Sequence, residues 1–204
     1  MGTRRDARDR GAAMILVLMA TALLAALASG LIVLTTTERR TAANEVSSVA
    51  TLCGAEAAME RTIGELRRIA NWTDVLGGVR GSEFVDSTKR PSIPSPGRVD
   101  LDALTIELQA ESNAPSIWGA NTPVWRLFSS GPLARLAGID ADQTNVYTAT
   151  WVADDGSDND GNARADSNQI IVIHAEAYGP ANARRVVDVT VAQTPSGVQI
   201  LAWR

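Results

Sequence analysis

A-A-M-I-L-V-L-M-A-T-A-L-L-A-A-L-A-S-G-L-I-V-L, running from Ala12 to Leu34, contains no charged residue. As a helix rising about 1.5 Å per residue it extends roughly 34 Å, enough to cross a bilayer core of about 30 Å. On one side of it lie Arg4, Arg5, Arg8 and Arg10 against Asp6 and Asp9, and on the other Glu38, Arg39 and Arg40. The arginines ahead of the run favour a cytoplasmic N-terminus, and those beyond it weaken the vote. A secretory signal peptide has the same basic start and apolar run. This run, however, exceeds the usual core of about 7–15 residues, and the polar sequence after it keeps reading as helix. Between Thr41 and Ala70 there is no proline, and the only glycines are Gly54 and Gly64. Counted from Val46, the residues Val49, Leu52, Cys53, Met59, Ile63 and Leu66 fall in a sector roughly 140° wide. The expectation is one long helix, half in lipid and half against a domain.

The rest of the 204-residue chain has room for one ordinary domain. A net charge of -4 with scattered arginines offers no basic stripe, so nucleic acid is not expected as a partner. Cys53 is the single cysteine, which excludes an intramolecular disulfide and a cysteine-based metal cluster and makes it most simply a small packing residue. After Trp72 the sequence loosens into G-G-V-R-G-S and then R-P-S-I-P-S-P-G, Arg90 to Gly97, a surface connection by its prolines and glycines. A second helix is expected from Leu101 to about Glu111, capped by Asp100 or Asp102, with Leu101, Leu104 and Leu108 on one face. Four strands are expected at Val146 to Val152, Gln169 to Ala177, Arg184 to Ala192 and Val198 to Trp203. They are rich in Val, Ile, Thr, Tyr and Trp and joined in part by the short turns G-P-A-N, Gly179 to Asn182, and T-P-S-G, Thr194 to Gly197.

Between two of these strands lies D-D-G-S-D-N-D-G-N, Asp154 to Asn162, with Asp166 beyond. Asp154, Asp155, Asp158, Asp160, Asn162 and Asp166 offer hard oxygen ligands in a compact loop, and calcium takes six to eight oxygens at about 2.3–2.6 Å. It is not an EF-hand. Fitting that pattern to Asp158, Asp160 and Gly161 puts Gly156 where the first aspartate belongs and Ser167 where the bidentate glutamate belongs. The same composition also makes a solvated hairpin loop of good turn formers, so both readings stand. Glu56 falls near the middle of the apolar sector of the first helix, either paired with a partner or on an uncovered part of the helix. His174, the sole histidine, sits in an apolar strand, and no G-x-S-x-G, Walker loop or H-E-x-x-H occurs, so no catalytic residue is assigned. Trp118, Trp125, Trp151 and Trp203 read as core.

The leader R-D-R-G, Arg8 to Gly11, running straight into the apolar helix, resembles a prepilin leader cut between Gly11 and Ala12. T-E-R-R-T-A-A-N-E, Thr37 to Glu45, and G-A-E-A-A-M-E, Gly54 to Glu60, resemble the helix of PilX-type minor pilins, a layout shared with type II secretion pseudopilins. The likeness covers about the first seventy residues. It implies an α+β fold in which a long N-terminal transmembrane helix packs against a four-stranded antiparallel sheet. The implied segments are a leader at 1–11, a membrane helix at 12–37, its extracytoplasmic continuation at 38–70 and a globular domain at 71–204. It further implies a structural subunit in the inner membrane of a bacterium, with the outer domain periplasmic or extracellular. Its partners would be other pilins, a prepilin peptidase, an inner-membrane assembly platform and membrane lipid. One departure is Leu16, where many pilins carry a glutamate at the fifth mature position. A subunit lacking it suits the filament tip, as inferred for the glutamate-less pseudopilin. The alternative is a membrane-tethered module that binds a partner or surface through calcium.

Overall fold

The charge-free run is helical throughout. The computed structural model describes residues 3–93, 97–114 and 122–204, with side chains from residue 12 onward. Helix α1 spans Thr3–Leu66. By contacts the chain forms two units, Met1–Glu45 and Val46–Arg204.

In the first unit every side chain from Ala12 to Glu45 is exposed, and the helix is long and apolar enough to cross a membrane. Its few hydroxyls are satisfied within the helix. Thr21 donates to the Leu18 carbonyl at 2.9 Å, Ser29 to Ala25 at 2.8 Å and Thr36 to Ile32 at 2.7 Å. Such back-bonding removes the cost of carrying an unpaired hydroxyl into hydrocarbon.

In the second unit the remainder of α1 lies against one face of a five-stranded antiparallel sheet. Its strands are β3 (Arg126–Pro132), β4 (Tyr147–Asp154), β5 (Ile170–Tyr178), β6 (Arg184–Thr194) and β7 (Gly197–Trp203), each paired with the next in sequence order. Alternation along the strands separates two cores. Ile171, Ile173, Ala175 and Ala177 of β5 and Val187, Val189 and Val191 of β6 cluster with Ala55, Met59, Ile63 and Leu66 of α1. On the other face Tyr147, Ala149, Trp151 and Tyr178 meet Leu101 and Leu104 of α3 (Leu101–Asn113), with Ile93 and Trp125. Asp100 caps α3 as expected, accepting from the backbone N–H groups of Asp102 and Ala103 at 3.1 Å. Short elements fill the connections: α2 (Thr73–Leu76), the two-residue strands β1 (Ser92–Ile93) and β2 (Gly97–Arg98), and α4 (Leu133–Ala137).

Three expectations need correction. The sheet has five strands, not four, because R-L-F-S-S-G-P, a stretch to which the sequence assigns no element, forms β3. The Ser129 hydroxyl is satisfied only across the fold. Ser129 Oγ and Thr150 Oγ1 are 2.7 Å apart, and Thr150 Oγ1 lies 3.0 Å from Thr62 Oγ1 of α1. Gly131 lies under Phe84, whose ring would stand 2.7 Å from any Cβ there.

The docking face of α1 is also not the apolar sector read from periodicity. Met59, Ile63 and Leu66 are buried, but Val49 is 51% exposed, Leu52 37% exposed, and Cys53 exposed. The buried edge runs instead through Ser47, Thr51, Gly54, Ala55, Ala58 and Thr62. These small side chains let the helix backbone come close to the sheet: a Cβ at Gly54 would stand 2.8 Å from Val146 Cγ1 and 3.5 Å from Ala177 Cβ. Periodicity of large residues does not register a face built for close approach. Finally, Trp125 and Trp151 are core, whereas Trp203 is 44% exposed on the edge strand, and Trp118 lies outside the described residues.

Candidate functional site

Strands β4 and β5 are joined by the aspartate-rich loop, and most of its polar side chains fold the loop itself. Each of Asp155, Asp158, Asp160, Asn162 and Asn168 accepts the backbone N–H two residues on, at 2.7 to 3.2 Å. This is a relay of Asx turns, the local bond that short polar side chains form most readily. Asp158 is nearly fully buried and also accepts from Ser167 through its N–H at 2.8 Å and its hydroxyl at 2.6 Å. Burial acts most strongly on this carboxyl and raises its pKa, but the Ser167 and backbone donors outweigh that, and the net direction is down. Asp166, half-buried, accepts from Gln169 N–H at 2.6 Å, and burial nevertheless raises its pKa. Thr73 of α2 ties the loop down by accepting from Asp166 N–H at 3.0 Å.

Of the six ligand candidates, Asp154, Asp158 and Asp160 converge, with carboxylate oxygens within 4.8 Å of one another. The other three turn away: Asp155 to Ser157 and to Asn168 Nδ2 at 2.7 Å, Asn162 to Arg164, and Asp166 to Gln169. These three carboxylates are hard oxygen ligands that could hold a metal ion. Glu56 is half-buried at the flank of α1, and Leu16 is exposed in the first unit. Gly11 and Ala12 lie within α1.

A second polar site was not read from the sequence. His174, Glu176 and Tyr178 alternate on one face of β5, and the register sets Asp188 opposite His174 and Arg184 opposite Tyr178. His174 Nδ1 is 2.6 Å from Asp188 Oδ1 and Nε2 is 2.9 Å from Glu176 Oε1. Arg184 donates to both oxygens of Glu176, Nε at 3.0 Å and Nη2 at 2.6 Å, and the Tyr178 hydroxyl donates to Glu176 Oε2. The Trp125 and Trp151 rings flank the imidazole at 5.8 Å, and their indole N–H groups donate to Ser112 and Thr105 of α3. Burial, the largest influence on His174, disfavours its charge, but Asp188 and Glu176 outweigh it and raise the pKa to about 9. Burial likewise works against Glu176, yet its donors lower it to about 2. Both imidazole nitrogens are thus engaged by carboxylates, an arrangement that holds charge and fixes strand register instead of activating a nucleophile. The legible signal was H-A-E-A-Y, three polar or aromatic groups at period two, with Arg184 and Asp188 on a matching face four residues apart.

No protein-family model, no curated protein and no solved structure matches this chain.

Proposed function

We propose that the chain is a structural subunit of a type IV pilus or type II secretion-like filament, a minor pilin or pseudopilin acting in filament assembly. The observation that supports this reading is α1 itself. One helix carries a charge-free, exposed half able to cross a bilayer and a second half whose small-residue edge docks on an antiparallel sheet. In this reading the protein is single-pass in the bacterial inner membrane, N-terminus cytoplasmic, until its apolar helix transfers into the filament. Its partners are other pilins, a prepilin peptidase and the assembly platform. Mature protein then begins at Ala12, the residue after the glycine at the charged-to-apolar boundary. Intact-mass measurement on protein from native membranes tests this, and a mass still including Met1 to Gly11, in cells with active peptidase, overturns the reading.

Leu16 gives the subunit a place at the filament tip. A glutamate at this position would pair with the terminal ammonium of the neighbour already in place, and leucine cannot; an ammonium left unpaired in an apolar core is costly. Labelling the outer domain of assembled filaments should show one terminal focus, and signal along the shaft excludes the tip. Leu16→Glu should not improve assembly, since a bare carboxylate in the bilayer costs about 2.5–3.5 kcal/mol.

The convergence of Asp154, Asp158 and Asp160 favours a second reading, a tethered module whose loop takes up calcium. Binding to the folded state alone adds about 2.7 kcal/mol at a hundredfold excess over Kd. Thermal melts of the full chain should then rise in calcium relative to EDTA. Equal midpoints reduce the loop to its Asx turns.

A further inference from the structure

Helix α1 meets the sheet in two different ways along its docked half. From Ala55 to Leu66 the contact is apolar, through Ala55, Met59, Ile63 and Leu66, and Thr62 Oγ1 lies 3.0 Å from Thr150 Oγ1. From Val46 to Cys53 it is polar and sparse. Val46, Val49, Leu52 and Cys53 are exposed, and the buried side chains of this stretch are Ser47 and Thr51. The Thr51 hydroxyl serves its own helix, donating to the Ser47 carbonyl at 2.6 Å. What holds the stretch against the sheet is the turn between β5 and β6. Ser47 Oγ donates to the Pro180 carbonyl at 2.6 Å, Arg185 donates to the exposed side of α1 at the Ser48 hydroxyl, and Thr51 presses on Gly179, where any Cβ would collide with its Oγ1. A section with so few buried apolar contacts has low local stability.

The turn that holds it is strained. Ala181 has φ 56° and ψ 32° and Asn182 has φ 60°, left-handed geometry that asparagine tolerates and alanine resists. Such geometry persists only where the surroundings enforce it. Here the neighbouring Gly179 and Pro180 are held by Thr51 and Ser47 of α1.

We infer that residues 46–53 of α1 open from the sheet as a separate section, with the Gly179–Asn182 turn as the latch and Gly54 as the pivot. Glycine weakens a helix interior, and Gly54 stands where the polar contact gives way to the apolar one. Opening breaks the Ser47 and Arg185 hydrogen bonds and frees Ala181 to leave the left-handed region, while the core from Ala55 onward stays closed.

The test measures thiol labelling by iodoacetamide in zwitterionic micelles, in a Cys53→Ser background that removes the single native cysteine. Thr51→Cys, at a position buried in the closed form, should label at least about tenfold faster than its own urea-unfolding curve allows, with a rate nearly flat in urea below the transition. Ala58→Cys, compared with its own unfolding curve, should label only through global unfolding. Adding Ser47→Ala should raise the Thr51→Cys rate about fivefold, the factor for a hydrogen bond of roughly 1 kcal/mol. Adding Ala181→Gly, which removes the strain from the closed latch, should slow it by a similar factor. Labelling of Thr51→Cys at the global rate with full urea dependence, or a rate unmoved by both latch variants, overturns the inference.

Discussion

Glu176→Gln should destabilise the chain by about 3–5 kcal/mol, because it leaves the buried His174 imidazolium and Arg184 without their shared counter-charge. Glu176 is 3% exposed and His174 7%, so solvent cannot replace the lost carboxylate at the imidazole, while it does reach the Arg184 guanidinium, whose side chain is 47% exposed. For a folded unit of this size the loss corresponds to a melting temperature lower by roughly 6–20 °C, measurable in micelles by near-ultraviolet circular dichroism. A loss under about 1 kcal/mol would mean that water already solvates the network. The same residues set the response to pH. His174 is raised to about 9 in the folded state. Its contribution is therefore fully present below the unfolded value of about 6.5 and is lost as pH rises through about 9. Glu176 is lowered from 4.5 to about 2, so its contribution is present above 4.5 and lost as pH falls through about 2. Stability should thus be level between about pH 4.5 and 6.5 and fall on the alkaline side. In Glu176→Gln the alkaline fall should be smaller and complete at lower pH, since only the half-exposed Asp188 still favours the imidazolium. A profile unchanged by the substitution counts against the network.

Trp72→Ala should cost a comparable amount, about 3–5 kcal/mol, through the cavity left by a large core side chain. Trp72 belongs to the cluster that joins α1 to the sheet and is 1% exposed. Its indole N–H donates to the carbonyl of Leu66, the last residue of α1, at 3.2 Å, so truncation also removes a bond at the helix terminus. Urea unfolding should show a lower midpoint at unchanged slope, and Trp72→Phe, which keeps most of the volume, should recover much of the loss. A midpoint within error of the parent would show that the end of α1 is held by other contacts.

Both predictions rest on residues of different legibility. Helix α1, the capped α3 and strands β4 to β7 were readable because each is set by local rules: a charge-free run, an N-cap aspartate, and β-branched stretches between turns. β3 was not, since S-S-G-P favours turns locally. The strand is held where Thr150, itself bonded to Thr62, satisfies Ser129 and where Phe84 covers its glycine, partners distant in sequence. The candidate loop was readable as an acidic cluster, but which of its oxygens converge was not. Asx turns engage Asp155, Asp158, Asp160 and Asn162 alike, and the fold of the whole loop brings Asp154, Asp158 and Asp160 together.

By itself, then, the sequence determined the long helix, its capacity to span a bilayer and the α+β character, since charge content, periodicity and capping act within a few residues. The tertiary structure alone decided which edge of α1 meets the sheet, because close approach selects small side chains that carry no hydrophobic signal. It alone also joined His174 to Asp188, Glu176 and Arg184, because strand register brings together groups whose pairing depends on burial and on the partner strand, neither of which is a property of any short stretch of chain.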